Sequence, residues 1–145
     1  MAKFELELPT EIVDQISKIT DSCEDIFGQM TQAGAQKVKE RVLQNLPPGI
    51  NTPEFKECVK VTSPYLTPSD DGIASKVIIT GYFNNRHGQR TPAPLVANTM
   101  EYGTVDRFGR GYITKTPFFR KSFVSSEIEK AMLDKQKELT GGLLE

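Results

Sequence analysis

Apolar residues in the first third of the chain recur at the spacing of an amphipathic helix. From Ile12 to Ala33 they follow one another at intervals of four and three, and the pattern continues with a slip up to the Pro47-Pro48-Gly49 turn. Pro9 suits the start of a helix, because its missing N–H is not needed in the first turn. The pattern therefore predicts one long helix over residues 10–46.

The length of this helix predicts contact with other molecules. A straight helix of about 35 residues is on the order of 50 Å long, whereas a domain of 145 residues is roughly 30 Å across. Part of its apolar face is therefore expected against a partner subunit. A bent helix, or two helices divided near Thr20-Asp21-Ser22, is the alternative. Gly28 and Gly34 mark either a bend or a close approach of another backbone.

Three segments show the alternation or the composition of strands. Residues 4–8 alternate apolar and acidic side chains. Residues 55–63 also alternate, but the pattern does not show which face of the strand is buried. Residues 75–84 are rich in β-branched and aromatic residues. The Pro- and Asp-rich stretch between the last two is typical of a hairpin loop, so residues 55–84 are expected to form antiparallel strands.

The last part of the chain predicts two helices separated by loops. Residues 85–116 form basic loops around a short helix, Leu95 to Tyr102, which stops at Gly103. Pro117 is expected to begin a C-terminal helix over residues 117–139, followed by a frayed tail. The predicted fold is a single α+β domain over residues 1–145, in which the long N-terminal helix packs on a small antiparallel sheet.

Charge is strongly partitioned along a chain whose net charge is only -1. Residues 1–75 carry 7 basic and 12 acidic side chains, whereas residues 76–121 carry 8 basic and 2 acidic ones. This partition predicts a local basic surface that either follows a DNA backbone without reading bases or pairs with acidic residues of a neighbouring copy. Its candidate residues are Arg86, Arg90, Arg107, Arg110 and Lys115.

Aromatic residues cluster beside this basic segment. If residues 117–139 are helical, Phe119 and Phe123 share one face and pack into the core, while Phe118 points away and is the better interface residue. Tyr102, at the end of the short helix, is a further candidate for core or interface packing.

Residues that would carry catalysis are scarce. The single histidine, His87, cannot form a His-rich metal site, and Asp70-Asp71-Gly72 lacks the spaced oxygen ligands of a calcium loop. The glycines do not follow a phosphate-binding pattern. Cys23 and Cys58 have no metal-ligand spacing and are expected to be buried, reduced thiols. We therefore expect no enzyme activity, metal, cofactor or small-molecule substrate.

No stretch approaches the roughly 18 apolar residues of a membrane span. The N-terminus also lacks the basic and apolar regions of a signal peptide. The sequence therefore predicts a soluble protein, made in the cytoplasm, without a membrane partner.

Two short motifs give the chain a family resemblance. They are Glu101-Tyr102-Gly103-Thr104 and Thr116-Pro117-Phe118-Phe119-Arg120, 13 residues apart from Gly103 to Thr116. With the order of predicted elements, they resemble the small neck, head–tail joining or minor tail-component proteins of tailed siphophages. The turn after the long helix, Pro47 to Pro53, departs from the Pro, Thr-Gly and Leu order of that family.

The resemblance implies a structural role in the virion. Members of the family form homo-oligomeric rings, six-fold or twelve-fold, where the head meets the tail, contact other connector and tail proteins, and let DNA pass. It implies location in the neck or tail of the virion, and in the host cytoplasm before assembly. A tail terminator or another minor tail protein is an alternative within this class. Two alternatives belong to other functional classes, namely a small nonspecific DNA-binding accessory protein and a remnant hydrolase.

Overall fold

The structure is a computed structural model, and it describes residues 9–105 and 112–144. It has the predicted α+β fold, in which helices surround small antiparallel strand pairs. The helices are α1 (Thr10–Asp21), α2 (Cys23–Gln44), α3 (Pro53–Cys58), α4 (Ala93–Tyr102) and α5 (Ser125–Leu144), with a 3-10 turn at Arg120–Ser122. The strands are β1 (Val59–Val61), β2 (Tyr65–Leu66), β3 (Ile73–Ala74), β4 (Val77–Ile79), β5 (Tyr82–Asn84), β6 (Arg90–Pro92), β7 (Thr104–Val105) and β8 (Tyr112–Ile113).

The predicted long helix is divided at Ser22 into α1 and α2, so the prediction of one continuous helix is wrong and the divided alternative is right. The backbone bends rather than leaving the helical path, because the N–H of Ser22 still donates to Lys18 and Ile26 donates to Ser22. The Thr20 hydroxyl donates to the Ile16 carbonyl at 2.8 Å, a side-chain bond that often bends helices.

The two glycines of α2 provide room for neighbouring side chains and do not cause the bend. A Cβ on Gly28 would lie 3.3 Å from the ring of Pro64. A Cβ on Gly34 would lie 3.0 Å from Met132 and 3.2 Å from Ile128 of α5. Close approach is therefore the better of the two predicted roles, although side chains rather than another backbone fill the space, and it lets α5 pack along α2.

The core lies between the C-terminal half of α2, the segment from α3 to β1, and α4. Phe55 and Phe83 meet edge to face at its centre, with ring centroids 5.1 Å apart. The buried core residues are Val38, Val42, Leu46, Ile50, Phe55, Cys58, Val59, Phe83, Ala93, Ala97 and Phe118.

Both cysteines are free thiols, as the sequence predicts. Cys58 is buried, and burial raises the pKa of its thiol above the usual value. Cys23 is only half-buried, which corrects the prediction, because it stands where α1 meets α2 and the side chains around it are largely exposed.

The strands are shorter than predicted, and one predicted strand is partly helical. Residues 53–58 form α3, because Pro53 occupies a first helical position and the Thr52 hydroxyl accepts the N–H of Phe55 at 3.3 Å. β1 pairs antiparallel with β4 and β2 with β3, as a nested hairpin. The predicted strand over 75–84 breaks at Gly81, whose φ of +91° turns the chain from β4 into β5.

The predicted loops contain two further hairpins. β5 pairs with β6, and β7 pairs with β8, both antiparallel. The C-terminal helix begins at Ser125 instead of Pro117 and continues to Leu144, through most of the predicted tail. The predicted strand at residues 4–8 lies outside the described residues. Among the helices of the described ranges, none is both long and apolar enough to cross a membrane.

Candidate functional site

The short helix α4 presents two different faces. Ala93 and Ala97 are buried in the core, where their small side chains let α4 pack closely. The helix stops at Gly103, whose φ of +73° few other residues adopt and whose N–H donates to the Thr99 carbonyl at 2.8 Å. The opposite face of α4 carries Leu95 and Tyr102, which are 61% and 62% exposed.

Glu101 is a buried carboxylate that binds the second motif. Glu101 is only 5% exposed, and its Oε2 accepts a hydrogen bond from the backbone N–H of Phe119 at 2.9 Å. Its Oε1 accepts the backbone N–H of Arg120 at 3.1 Å and the guanidinium Nε of Arg120 at 2.8 Å. Burial by itself would raise the pKa of Glu101, but these hydrogen bonds and the charge of Arg120 outweigh it, so the pKa lies below its usual value.

Backbone contacts complete the junction between the two motifs. The N–H of Thr116 donates to the Met100 carbonyl at 2.7 Å. A Cβ on Gly103 would lie 2.7 Å from the Ile113 carbonyl oxygen and 3.0 Å from the Lys115 nitrogen, so only glycine fits there without backbone movement. The two motifs that carry the family resemblance are therefore packed against each other in one unit.

The predictions for Phe118 and Phe123 are wrong, whereas Phe119 packs against the core as predicted. Phe118 is 2% exposed and belongs to the core, whereas Phe123 is 51% exposed and Phe119 is half-buried. The reason is that the segment is a turn followed by a 3-10 turn, so the four-residue spacing of an α-helix does not apply. The buried Ser122 hydroxyl donates to the Phe118 carbonyl at 2.6 Å and holds this turn.

Aromatic and basic side chains pair in the strands that precede α4 and at the C-terminal end of this helix. The Arg90 guanidinium lies 4.9 Å from the ring centroid of Tyr82, which is 59% exposed. Arg120 lies 5.1 Å from the ring centroid of Tyr102. We name Tyr82, Arg90, Leu95, Tyr102 and Arg120 the α4 surface.

The structure brings together only some of the predicted basic residues. Arg86, Arg90 and Lys115 are all exposed. Arg90 precedes α4 and Lys115 lies beside Gly103 at its end, while Arg86 lies in the β5–β6 hairpin against Gly49. Arg107 and Arg110 lie outside the described residues.

Sequence reasoning missed Glu101 and Tyr82, and gave Arg120 no separate role. One signal was present: Glu101 is the only acidic residue between positions 76 and 105, inside a basic segment. An isolated acid in such a segment is a candidate for a buried ion pair.

Helix α1 has an uncovered apolar face. The structure buries none of its residues, and Ile12, Val13 and Ile16 are exposed. Phe27, three turns further along in α2, is also exposed and continues the same side of the helix. We name Ile12, Val13, Ile16 and Phe27 the α1 stripe.

Two clefts of the described part lie against α2 and α4. A cleft of about 450 Å³ lies between α2, the β3–β4 segment and α5, and Lys76 is the only titratable residue that lines it. A second cleft, of about 230 Å³, lies beside the α4 surface and contains Glu101, already engaged by Phe119 and Arg120. Within residues 9–105 and 112–144, no three potential metal ligands converge.

His87 lies exposed in the β5–β6 hairpin turn, where its backbone N–H donates to the Asn85 side chain at 2.9 Å.

Among protein-family models, curated proteins and solved structures, none matches this chain significantly. The residues and their geometry are therefore the basis for assigning a function.

Proposed function

We propose that this chain is a non-enzymatic structural protein of a tailed phage, which forms a ring at the head–tail junction through which DNA passes. The observation that carries the assembly role is α1, an amphipathic helix with no buried residue. An isoleucine-rich face left in water costs hydrophobic free energy, which contact with another molecule recovers.

The placement at the head–tail junction rests on the two motifs. In the first motif, Glu101 binds Arg120 of the second motif, and Gly103 leaves space for the backbone of residues 113–115. These contacts join the two motifs into one structural unit, as expected if both motifs belong to one shared fold. This supports the resemblance to neck and minor tail proteins.

The proposal includes the partners and the location. A homo-oligomeric ring of six or twelve copies would contact other connector and tail proteins in the virion neck, after assembly from copies made in the host cytoplasm. A tail terminator is the alternative position in the same particle. A basic surface without a base-reading motif suits a ring that holds and then releases DNA.

A second candidate function is nonspecific DNA binding by a separate accessory protein. The exposed Arg86, Arg90 and Lys115 favour it, because flexible basic side chains on a surface bind phosphates without sequence selectivity. Such a protein needs no contact between copies, and its affinity for DNA falls steeply with salt.

Light scattering together with DNA binding separates the two functions. We expect the purified chain to form a defined oligomer in the absence of DNA. The variant Arg86→Glu, which changes only an exposed side chain, should retain this oligomer and lose affinity for a short duplex DNA. A chain that stays monomeric and binds duplex DNA with a steep salt dependence would contradict the assembly role and support the accessory protein.

A further inference from the structure

We infer that the α1 stripe of one copy docks on the α4 surface of the next copy. This inference rests on the proposed assembly role and specifies the two surfaces that meet. Both surfaces are apolar at the centre and exposed, and they carry opposite charges at their rims.

The rim of the α1 stripe is acidic. Residues 10–27 carry five acidic side chains and the single basic residue Lys18. All five acids are exposed, and none forms an ion pair among the described salt bridges. These acids are Glu11, Asp14, Asp21, Glu24 and Asp25.

The rim of the α4 surface is basic. Arg90 lies beside Tyr82 ahead of α4, Arg120 and Lys115 lie near Tyr102 and Gly103 at its end, and all three basic side chains are exposed. The acid of α4 is Glu101, which is buried and offsets the charge of Arg120 by pairing with it, so Arg90 and Lys115 supply the positive charge of this rim. The two rims are therefore complementary in sign, which steers and aligns association.

The two surfaces lie at opposite ends of α2. The α1 stripe precedes α2 and extends into its first turns, whereas α4 packs through Ala93 and Ala97 into the core that holds Val42 and Leu46. The 22 residues of α2 span about 33 Å. A contact between surfaces so far apart joins different copies head to tail, which is the contact type that can close into a ring.

A symmetric contact is disfavoured by the same charges. Two α1 stripes brought together would place acidic rims side by side, and two α4 surfaces would do the same with basic rims. The cleft between α2 and α5 is a weaker acceptor, because Lys76 is the only charged residue that lines it.

Two substitutions test the contact by sedimentation velocity of the full chain. Ile16→Asp disables the α1 stripe and Leu95→Asp disables the α4 surface, and each should weaken self-association about 10- to 100-fold, since it removes one buried aliphatic side chain. A mixture of the two variants should form a complex of one copy each and nothing larger, because only one intact pair of surfaces remains. Leu133→Asp, at an exposed apolar position of α5, is the matched control and should associate like the wild type.

A charge variant keeps the test valid if an aspartate prevents folding. Asp14→Lys changes only an exposed side chain. It should weaken association about 2- to 5-fold at low salt and lessen its salt dependence. Circular dichroism and thermal unfolding confirm that each variant is folded.

Several results would overturn the inference. They are unchanged association of either aspartate variant, failure of the mixture to form the one-to-one complex, or a wild-type chain that is monomeric up to about 1 mM, a concentration that populates even contacts with millimolar Kd values. If the stripe instead packs within its own chain, Ile16→Asp lowers the melting temperature of a monomer, which also overturns the inference. If rings form despite both substitutions, the inference is wrong and the proposed function stands. If the two variants form the one-to-one complex but the wild type forms open filaments, the inference is supported and the proposed ring is contradicted.

Discussion

At the scale of single residues, Glu101 determines the conformation of the second motif. A carboxylate withdrawn from water is costly unless hydrogen bonds replace its hydration. Here two backbone N–H groups and one guanidinium group supply those bonds, and Arg120 is thereby fixed over Tyr102. The acid inside the basic segment therefore shapes a surface.

Glu101→Gln should lower the free energy of unfolding by about 1–3 kcal/mol, because an amide cannot accept all three hydrogen bonds and loses the charge that pairs with Arg120. Chemical denaturation at pH 7 measures this. Glu129→Gln, at an exposed position of α5, is the control and should be nearly neutral. A variant as stable as the control would contradict the role given to Glu101.

The stability difference between the wild type and the Glu101→Gln variant has a predictable pH dependence. Because folding lowers the pKa of Glu101, its stabilising contribution is complete above the usual glutamic acid pKa, about 4.3, and is lost as the pH falls through the lower folded value. The stability difference between the wild type and Glu101→Gln should therefore be constant from pH 7 to about 5 and shrink in more acidic solution. A difference that grows on acidification would mean that folding raises the pKa of Glu101 instead.

At the scale of elements, Gly103 joins α4 to β8 by letting two backbones touch. Gly103→Ala should destabilise the protein by at least about 1–3 kcal/mol, because its backbone conformation is strained for alanine and the added Cβ meets the Ile113 oxygen. Gly141→Ala is the matched control, since a Cβ there meets no atom within 4 Å and alanine favours the helix. Thermal unfolding of the two variants should shift in opposite directions, and a stable Gly103→Ala would contradict the close approach.

Elements with a long hydrophobic period were predictable from the sequence, and those decided by local caps were not. The helical spacing identifies α1 and α2, and Gly103 marks the end of α4. The alternation that begins at Phe55 predicted a strand, but these residues start in α3, because the Thr52 cap and Pro53 favour a helical turn. Such a local cap is not visible in the alternation of apolar and polar residues. Phe118 was misplaced because the bonds from Glu101 impose a turn that only the tertiary structure reveals.

The candidate site was predictable to a similar degree. The exposure of Arg86, Arg90 and Lys115 follows from their polar, turn-rich segments, and the structure agrees. Tyr102 was named as an interface or core candidate, but Leu95 was missed, because leucine is a typical core residue by type and only the burial of Ala93 and Ala97 turns it outward.

At the scale of the whole molecule, an acidic apolar stripe and a basic aromatic surface stand at opposite ends of α2. This arrangement accounts for the charge partition along the chain, because a head-to-tail assembly needs unlike surfaces on each copy. Each pairwise contact is small, so closure into a ring, in which every copy uses both surfaces, would stabilise the assembly beyond the affinity of a single contact.

Electron microscopy of the purified full chain, with class averages of single particles, tests the central claim most directly. The account predicts closed rings of one diameter with six-fold or twelve-fold symmetry, which disappear in the Ile16→Asp variant and persist in Leu133→Asp. Monomers or symmetric dimers at every concentration of the wild-type chain would contradict it.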